Sequence, residues 1–462
     1  MTTAPTGITA SRELADFLAM LAGSVGDRLL DLAVDRLVDT VGVIVHGSGQ
    51  PWSRAVIAHG LATGAPGRST VVGGGAATTP AMAALANGAS AHAFELDDVH
   101  EEAISHPGAV VIPAALALAE DTGASGRDLL EAIVIGYEAM GRAGIAVGPS
   151  SHMLRGFHPT SMSGVFGAAA AAGRLLGFDG RQLNEAFGIA VSLASGTMEF
   201  AASGGMAKRL HAGRAAEGGL LAALLAARGF EGASDGLAGR YGFCRVFTET
   251  PQVELLTAGF GTRWMLDEIT TKPYAACSDV HPMIQATLEL RDEFAIDPDR
   301  VAWIEAEGPT KAAVQNNMDG TVSVMAAQYS AQFNIAASLL ADPRRPSTYT
   351  PERVRDPRLA AMQARVRSLE PAAEFDATYA WKMGGRVRIG LDDGSVLERT
   401  VHGQLGSMHD PLDSARIDAK FLALARDGGA PGGGSHLLGA LRRVGDDGLP
   451  PVTAALGADW GA

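Results

Sequence analysis

Apolar residues recur at helical spacing through the opening quarter of the chain. The i, i+3, i+4, i+7 stripe appears first over residues 14 to 21 and repeats over residues 30 to 41. That spacing places apolar side chains on one face of a helix and predicts two amphipathic helices. Thr79-Pro80 has the residues of a helix start, with Pro at the first helical position, and predicts a third helix over residues 81 to 87.

Small residues dominate the middle of the chain. An Ala run occupies residues 168 to 172, and a second run rich in Ala and Gly ends at Arg228. Small side chains let helices approach closely in a buried bundle, whereas an Ala-rich segment of low complexity is the alternative. The buried bundle is favoured because Leu175, Leu176 and Phe178 continue the first run with apolar bulk.

The pattern changes character after about residue 265. Residues 301 to 307 alternate between apolar and polar side chains, which predicts a strand. Residues 386 to 391 and 396 to 401 flank Asp393-Gly394, and Asp-Gly accommodates the positive φ of a tight hairpin turn. Residues 266 to 405 are therefore predicted to form a smaller α+β domain, and a helix after Pro411 can rejoin the first, helical domain.

Composition limits the classes of function. The chain has 462 residues, which is too long for one ordinary domain, and 47% of them are hydrophobic, which is enough for a large core. A net charge of -14 excludes a nucleic-acid or anionic-membrane partner, since both require a basic surface. Two cysteines, Cys244 and Cys277, provide no disulfide framework. With neither a signal peptide nor an apolar run of about 20 residues, the protein is expected to be soluble and cytoplasmic.

Residues 87 to 120 carry the densest polar chemistry, between two apolar helical runs. Three histidines and five carboxylates fall between residues 92 and 106: His92, His100, His106, Glu95, Asp97, Asp98, Glu101 and Glu102. One interpretation is a solvated loop whose charges pair with one another. A second is a magnesium site of the Asp-Asp-x-x-Glu kind found in terpenoid synthases, although no second acidic cluster accompanies it. The third is acid–base chemistry on an anionic substrate.

Two further stretches supply cationic groups. Phe157-His158-Pro159 precedes the Ala run, and Lys208, His211 and Arg214 follow at successive i+3 steps. On a helix these three would share one face, which in an acidic protein predicts an anion site. A lysine beside other cations is also shifted toward its neutral, basic form. A surface lysine and a core histidine are the alternatives for Lys208 and His158.

The motifs together resemble the MmgE/PrpD superfamily. They comprise Asn-Gly-x-x-x-His with Asp-Asp and His-Pro-Gly, then Phe-His-Pro-Thr, then Lys-x-Leu-His-x-Gly-x-Ala-Ala, and then Lys-Pro-Tyr with a downstream His. Family members include 2-methylcitrate dehydratase, cis-aconitate decarboxylase and iminodisuccinate epimerase. The resemblance implies a large all-helical domain formed from both chain ends, 1–265 completed by 406–462, and an α+β lid domain, 266–405. It also implies a homodimer that needs neither metal nor organic cofactor.

The resemblance assigns roles to individual residues around the cleft between the domains. Catalytic roles fall to Asp97, His106, His158 and Lys208. Binding of a small anionic carboxylate substrate falls to Glu95, Asp98, His211, Lys272 and His281. The chain departs from the decarboxylase pattern at Glu95 to Val99, in one extra residue before His106, and at Phe333, where a Tyr is expected. Val99 and Phe333 each lack the hydroxyl that the pattern has at that position. A missing hydroxyl changes which substrate groups a pocket can hydrogen-bond, and this disfavours a cis-aconitate decarboxylase.

These observations favour a cofactor-independent lyase of the dehydratase type. It would remove a proton next to a carboxylate of a small di- or tricarboxylate, as 2-methylcitrate dehydratase does. An epimerase of the iminodisuccinate type is the nearest alternative, followed by a decarboxylase of the cis-aconitate type. A magnesium-dependent terpenoid synthase is the most distant.

Overall fold

The computed structural model describes residues 8–149, 151, 155–203, 205–318, 320–379 and 381–458. The chain forms two compact units. Unit 1 comprises Met1–Ala93, Asp97–Ile269 and Asp413–Ala462, and unit 2 comprises Phe94–Leu96 and Thr270–Leu412. Unit 1 is helical and unit 2 combines helices with a sheet, which confirms the predicted class, mainly α with a smaller α+β part.

Unit 1 begins with helices whose starts are set by local sequence. Thr9 caps the first helix through its side chain, and Ser125 and Asp128 form a reciprocal capping box at the sixth. The helices are α1 (Ala10–Met20), α2 (Asp27–Ser48), α3 (Pro51–Thr63), α4 (Pro80–Ala91), α5 (Gly108–Thr122), α6 (Gly126–Val147), α7 (Pro159–Leu175), α8 (Gly180–Ala190), α9 (Glu199–Ser203), α10 (Ala207–Ala226) and α11 (Phe243–Val246). Short strands β1 (Ser69–Val71) and β2 (Ala76–Thr78) pair antiparallel, and β3 (Val99–His100) follows α4.

Helices of small residues form the centre of unit 1. Helix α7 packs against both α6 and α10, and α10 also packs against α4. Residues 168 to 172 are fully buried, which confirms the predicted buried bundle. At the α4–α10 crossing a Cβ built on Gly88 would lie 2.8 Å from the Gly213 Cα, so the two backbones touch through glycines. This close approach fixes the position of α10 relative to the end of α4.

Unit 2 is built on one four-stranded sheet. Its strands are β5 (Val301–Gly308), β6 (Val366–Pro371), β7 (Gly384–Leu391) and β8 (Val396–His402), entered after β4 (Ile269–Thr270). The strand order is β6-β5-β7-β8, with β6 parallel to β5 and the β7–β8 hairpin antiparallel, as predicted. The helices are α12 (His281–Phe294), α13 (Thr310–Gln315), α14 (Val324–Tyr329), α15 (Ala331–Leu340), α16 (Pro351–Val354), α17 (Pro357–Gln363) and α18 (Ala373–Asp376).

The end of the chain returns to unit 1. It adds α19 (Ser414–Asp427), α20 (Ser435–Arg442), α21 (Val444–Asp447) and α22 (Pro450–Leu456). Helix α19 packs along α2, where Lys420 Nζ lies 2.7 Å from Asp39 Oδ1 in a buried ion pair. Among the helices of the described ranges, none is both long and apolar enough to cross a bilayer.

Candidate functional site

A carboxylate and two imidazoles meet where α4 ends in unit 1. His92 is the C-terminal cap of α4, and its Nδ1 lies 2.6 Å from Asp97 Oδ2. The same carboxylate oxygen lies 3.3 Å from His106 Nδ1. His106 Nδ1 also donates to the Asp98 carbonyl oxygen at 2.7 Å. Asp97 therefore orients two imidazole rings, whose centroids are 4.9 Å apart.

Asp98 fastens the same loop to two helices. Its carboxylate accepts from the Tyr137 hydroxyl of α6 at 2.6 Å and from the Gly108 amide at the start of α5 at 2.8 Å. Burial raises the pKa of Asp98 to about 6, against the effect of the Tyr137 hydrogen bond and the nearby Arg36. These two donors belong to the protein, so the carboxylate holds the loop in place beneath the imidazoles.

A second imidazole pair joins the first. His158 occupies the residue before α7 without a side-chain hydrogen bond to that helix, and its Nδ1 lies 3.0 Å from Nδ1 of His211 on α10. The two nitrogens share one proton, since one must donate and the other accept. Burial and the neighbouring charges of His92 and Lys208 lower the pKa of His211 to about 4. Burial and the charges of His92, His211 and Lys208 hold the pKa of His158 well below its ordinary value. Both rings are neutral at physiological pH.

Lys208 lies inside unit 1, on the first turn of α10, and only 3% of its surface is exposed. The alternative of a surface lysine is therefore wrong. Its charge acts on His158 and His211, which places it with the imidazoles. The prediction that Arg214 shares this site is also wrong, because Arg214 is exposed and pairs with Glu217 one turn along the same helix. An i+3 repeat drifts around a 3.6-residue helix, so the third member leaves the buried face.

Unit 2 holds the three remaining predicted residues. Glu95 Oε2 lies 3.5 Å from Lys272 Nζ, and both side chains are buried. Glu95 has a φ of 57°, a left-handed conformation that is costly for a residue with a side chain and that clusters at functional sites. The amide of Gln328 donates to the Phe94 carbonyl at 2.9 Å and holds this strained segment.

His281 begins α12 in unit 2. Its Nε2 donates to the Ala276 carbonyl at 3.1 Å, and the Tyr274 ring packs edge-on against it. Asp279, two residues before His281, forms a buried ion pair with Lys311 of α13, whose Nζ lies 2.5 Å from Asp279 Oδ2. Burial and the Asp279 charge raise the pKa of the Cys277 thiol to about 11, so Cys277 is a neutral thiol rather than a nucleophilic thiolate.

The described residues include one group with the donor types of a metal site. One nitrogen or oxygen from each of His92, Asp97 and His106 falls within 4.8 Å of the others. In the arrangement present, however, Nδ1 of His92 and Oδ2 of Asp97 are 2.6 Å apart and hydrogen-bonded, and His106 Nδ1 is engaged by a carbonyl. An ion shared by these atoms would have to displace both hydrogen bonds and the protons on the two Nδ1 atoms.

The nine predicted site residues thus fall into two groups. Unit 1 brings together Asp97, Asp98, His106, His158, Lys208 and His211, and unit 2 holds Glu95, Lys272 and His281. Sequence reasoning assigned no role to His92, although its motif pointed to it, or to Tyr137. Nothing in the sequence marks Tyr137, because it sits in an apolar helical run and its partner is 39 residues away.

Comparison with known proteins matches most of the chain to one family. Residues 12–256 match the MmgE/PrpD N-terminal domain, and residues 274–432 match the MmgE/PrpD C-terminal domain. Cis-aconitate decarboxylase of Aspergillus terreus is 30% identical over 445 residues, covering 91% of this chain and 90% of that protein. The Homo sapiens cis-aconitate decarboxylase is 30% identical over 361 residues, 75% of this chain and 73% of its own. The cis-aconitate decarboxylase-like protein oryM of Aspergillus oryzae is 35% identical over 288 residues, 58% of this chain and 59% of its own.

Proposed function

Because the chain belongs to the MmgE/PrpD family, we propose that it is a cofactor-independent lyase acting on a small di- or tricarboxylate. The reaction begins with removal of a proton from a carbon next to a carboxylate. The observation that carries this proposal is the buried group of Asp97, His92, His106, His158 and Lys208 in unit 1. It combines proton-transfer groups with a cation in an otherwise acidic protein.

The chemistry follows from the charges of these residues. A substrate carboxylate would be attracted to the Lys208 ammonium, which also stabilises the negative charge that develops when the C–H bond breaks. Of the two neutral rings, the one that accepts the shared hydrogen bond at Nδ1 carries its proton on Nε2 and can donate it to a substrate oxygen without adding charge. In a dehydration, the electron pair of the C–H bond forms the double bond and the neighbouring C–O bond breaks. His106, held by Asp97 and the Asp98 carbonyl, would in its imidazolium form give the Nε2 proton to the departing hydroxide, which leaves as water while the ring becomes neutral.

Decarboxylation is the second candidate. It is favoured by the match to the Aspergillus terreus cis-aconitate decarboxylase over 91% of this chain. There a C–C bond breaks, carbon dioxide leaves, and the resulting carbanion is protonated by the same acid. Against it stand the Glu95 segment and Phe333, which is fully buried beside Tyr349 without a hydroxyl of its own. We keep dehydration as the first candidate for these reasons.

The test is a substrate panel with metal-stripped protein. The protein is dialysed against a strong chelator and then incubated with 2-methylcitrate, citrate, cis-aconitate and iminodisuccinate while products are followed by NMR. Loss of water from a hydroxy acid supports the dehydratase, release of carbon dioxide supports the decarboxylase, and inversion without net loss indicates an epimerase. Turnover that disappears on chelation and returns with a divalent ion at His92, Asp97 and His106 would contradict a cofactor-independent lyase.

A further inference from the structure

We propose that His92 is the base that removes the substrate proton, with Asp97 as the residue that positions it. This assignment rests on the proposed function, since it needs a reaction that begins at a carbon next to a carboxylate. None of the roles implied by the family resemblance falls on His92. His92 is suited to this role by the tautomer of its ring, by the state of its second nitrogen and by the weakness of the neighbouring imidazoles as bases.

The tautomer is set by Asp97. His92 Nδ1 lies 2.6 Å from a buried carboxylate oxygen, and a carboxylate accepts hydrogen bonds. Nδ1 therefore carries the proton, and the lone pair of the neutral ring is on Nε2. Asp97 also supplies a full negative charge next to the imidazolium that forms when Nε2 accepts a proton. An orienting carboxylate behind a histidine is the arrangement that general bases use in proteins.

The second nitrogen of His92 is buried without a hydrogen-bond partner among the described residues. Nε2 of His92 is inaccessible to solvent and makes no hydrogen bond with any residue in the described ranges. A buried acceptor without a partner costs about 1–3 kcal/mol, and such atoms are rare in folded proteins. Retaining one inside a group of ionisable side chains fits a nitrogen that acts on a ligand. The His92 ring lies among those groups, with centroids 4.9 Å from His106 and 5.6 Å from His158.

The neighbouring imidazoles are weaker bases. The pKa of His211 is lowered to about 4, and that of His158 lies well below its ordinary value, because both rings are buried and because a proton on His92 or Lys208 disfavours a further proton on either of them. Nδ1 of His106 is 2.7 Å from a neutral carbonyl and 3.3 Å from Asp97. His92 has the shorter bond to the carboxylate. A proton taken from substrate is therefore best stabilised on His92.

The proton transfer balances without a further reagent. The substrate C–H bond breaks, its proton forms an N–H bond at Nε2, and its electron pair stays on the substrate next to the carboxylate. The His92 imidazolium then pairs with the Asp97 carboxylate. Release of that proton to water, or its return to the substrate, restores the starting state.

Substitution of His92 by Asn separates the role of Nε2 as a base from the role of Nδ1 in the hydrogen bond to Asp97. In His92→Asn the side-chain amide nitrogen can take the place of Nδ1 and keep the bond to Asp97, but nothing replaces Nε2. We expect deuterium exchange into the α-position of a tricarboxylate in D2O to fall by about 10²–10⁴-fold. Affinity for a non-reacting tricarboxylate, measured by calorimetry, should stay within about threefold. His100→Asn, which removes a buried histidine paired with Glu268 at 3.4 Å, is the matched control and should exchange at a rate near wild type.

A second variant covers a folding failure of the first. His92→Ala leaves room for a small base, so added imidazole should restore exchange in proportion to its neutral form. Wild-type exchange together with near-wild-type exchange in His92→Asn would overturn the assignment and leave the proposed function standing. A third outcome is that neither His92→Asn nor His92→Ala with added imidazole exchanges deuterium and that both variants lose calorimetric affinity. His92 would then be a structural residue, and the assignment would be overturned. Absence of exchange in the wild-type protein with every carboxylate of the panel would overturn both proposals.

Discussion

Neighbouring carboxylates in this chain serve different purposes because their hydrogen-bond partners differ. Asp97 faces two imidazoles, whereas Asp98, the next residue, faces the Tyr137 hydroxyl and the Gly108 amide. Successive side chains point in different directions, so Asp97 contacts the imidazoles while Asp98 fastens the loop to its neighbouring helices. The terpenoid-type interpretation needs both carboxylates on one metal ion, and the internal donors to Asp98 disfavour that arrangement.

Asp98 gives the protein a measurable pH dependence. Its pKa is raised from 3.8 to about 6 in the folded state, so the folded chain binds this proton more tightly than the unfolded chain. Its contribution to stability is complete below about pH 4 and is lost as pH rises through about 6, a change of about 3 kcal/mol. Asp98→Asn should remove that part of the slope. Denaturant unfolding of both proteins from pH 4 to pH 7 measures the difference, and parallel curves would contradict the shift.

At the scale of the elements, helices α4 and α10 position the site. Helix α4 ends at His92, and α10 carries Lys208 and His211 on its first turns. Their backbones meet at Gly88 and Gly213, and a Cβ on Gly213 would overlap the Leu85 carbonyl oxygen. The distance between the proposed base and the lysine therefore depends on two residues that have no side chain.

Adding one methyl group should test this dependence. Gly213→Ala forces the helices apart and should lower the free energy of unfolding by about 1–3 kcal/mol. Turnover of the folded protein should fall as well, because Lys208 moves with α10. Gly218→Ala is the control on the same helix, since its Cβ would meet Val165 at an ordinary 3.5 Å. Ala favours a helix over Gly by about 1 kcal/mol, so the control should be neutral or stabilising. Equal melting temperatures and rates for the two variants would show that the crossing is not tightly packed.

Sequence reasoning reached the elements more completely than the site. Helix periodicity and the Asp393-Gly394 turn are local signals, and α1, α2 and the β7–β8 hairpin formed as predicted. The motifs also led to six residues that unit 1 groups together. The Tyr137–Asp98 bond, the outward direction of Arg214 and the unpartnered Nε2 of His92 were not predictable. These three features depend on how the helices pack against one another, which the spacing of residues along the chain does not indicate.

At the scale of the whole molecule, a protein of net charge -14 holds several of its cationic side chains at buried positions. Lys208 in unit 1 and Lys272 in unit 2 are both nearly inaccessible to solvent. The segment around residue 95 serves both units, since His92 and Asp97 belong to unit 1 while Phe94–Leu96 belong to unit 2. A few consecutive residues, 92 to 97, are thus divided between units that are assembled from distant parts of the chain.

In the proposed reaction, buried side chains of unit 1 transfer a proton at a carbon next to a carboxylate without a metal. The most direct measurement is deuterium incorporation into tricarboxylates in D2O, by NMR, for chelator-treated wild-type protein, Lys208→Ala and Lys208→Arg, with the exposed Arg214→Ala as control. We predict exchange in the wild type and the control, and at least about a hundredfold loss in both Lys208 variants, because the broad planar guanidinium of Arg keeps a charge but cannot take the place of the compact, buried ammonium. Unchanged exchange in Lys208→Ala, with its melting temperature preserved, would contradict the account.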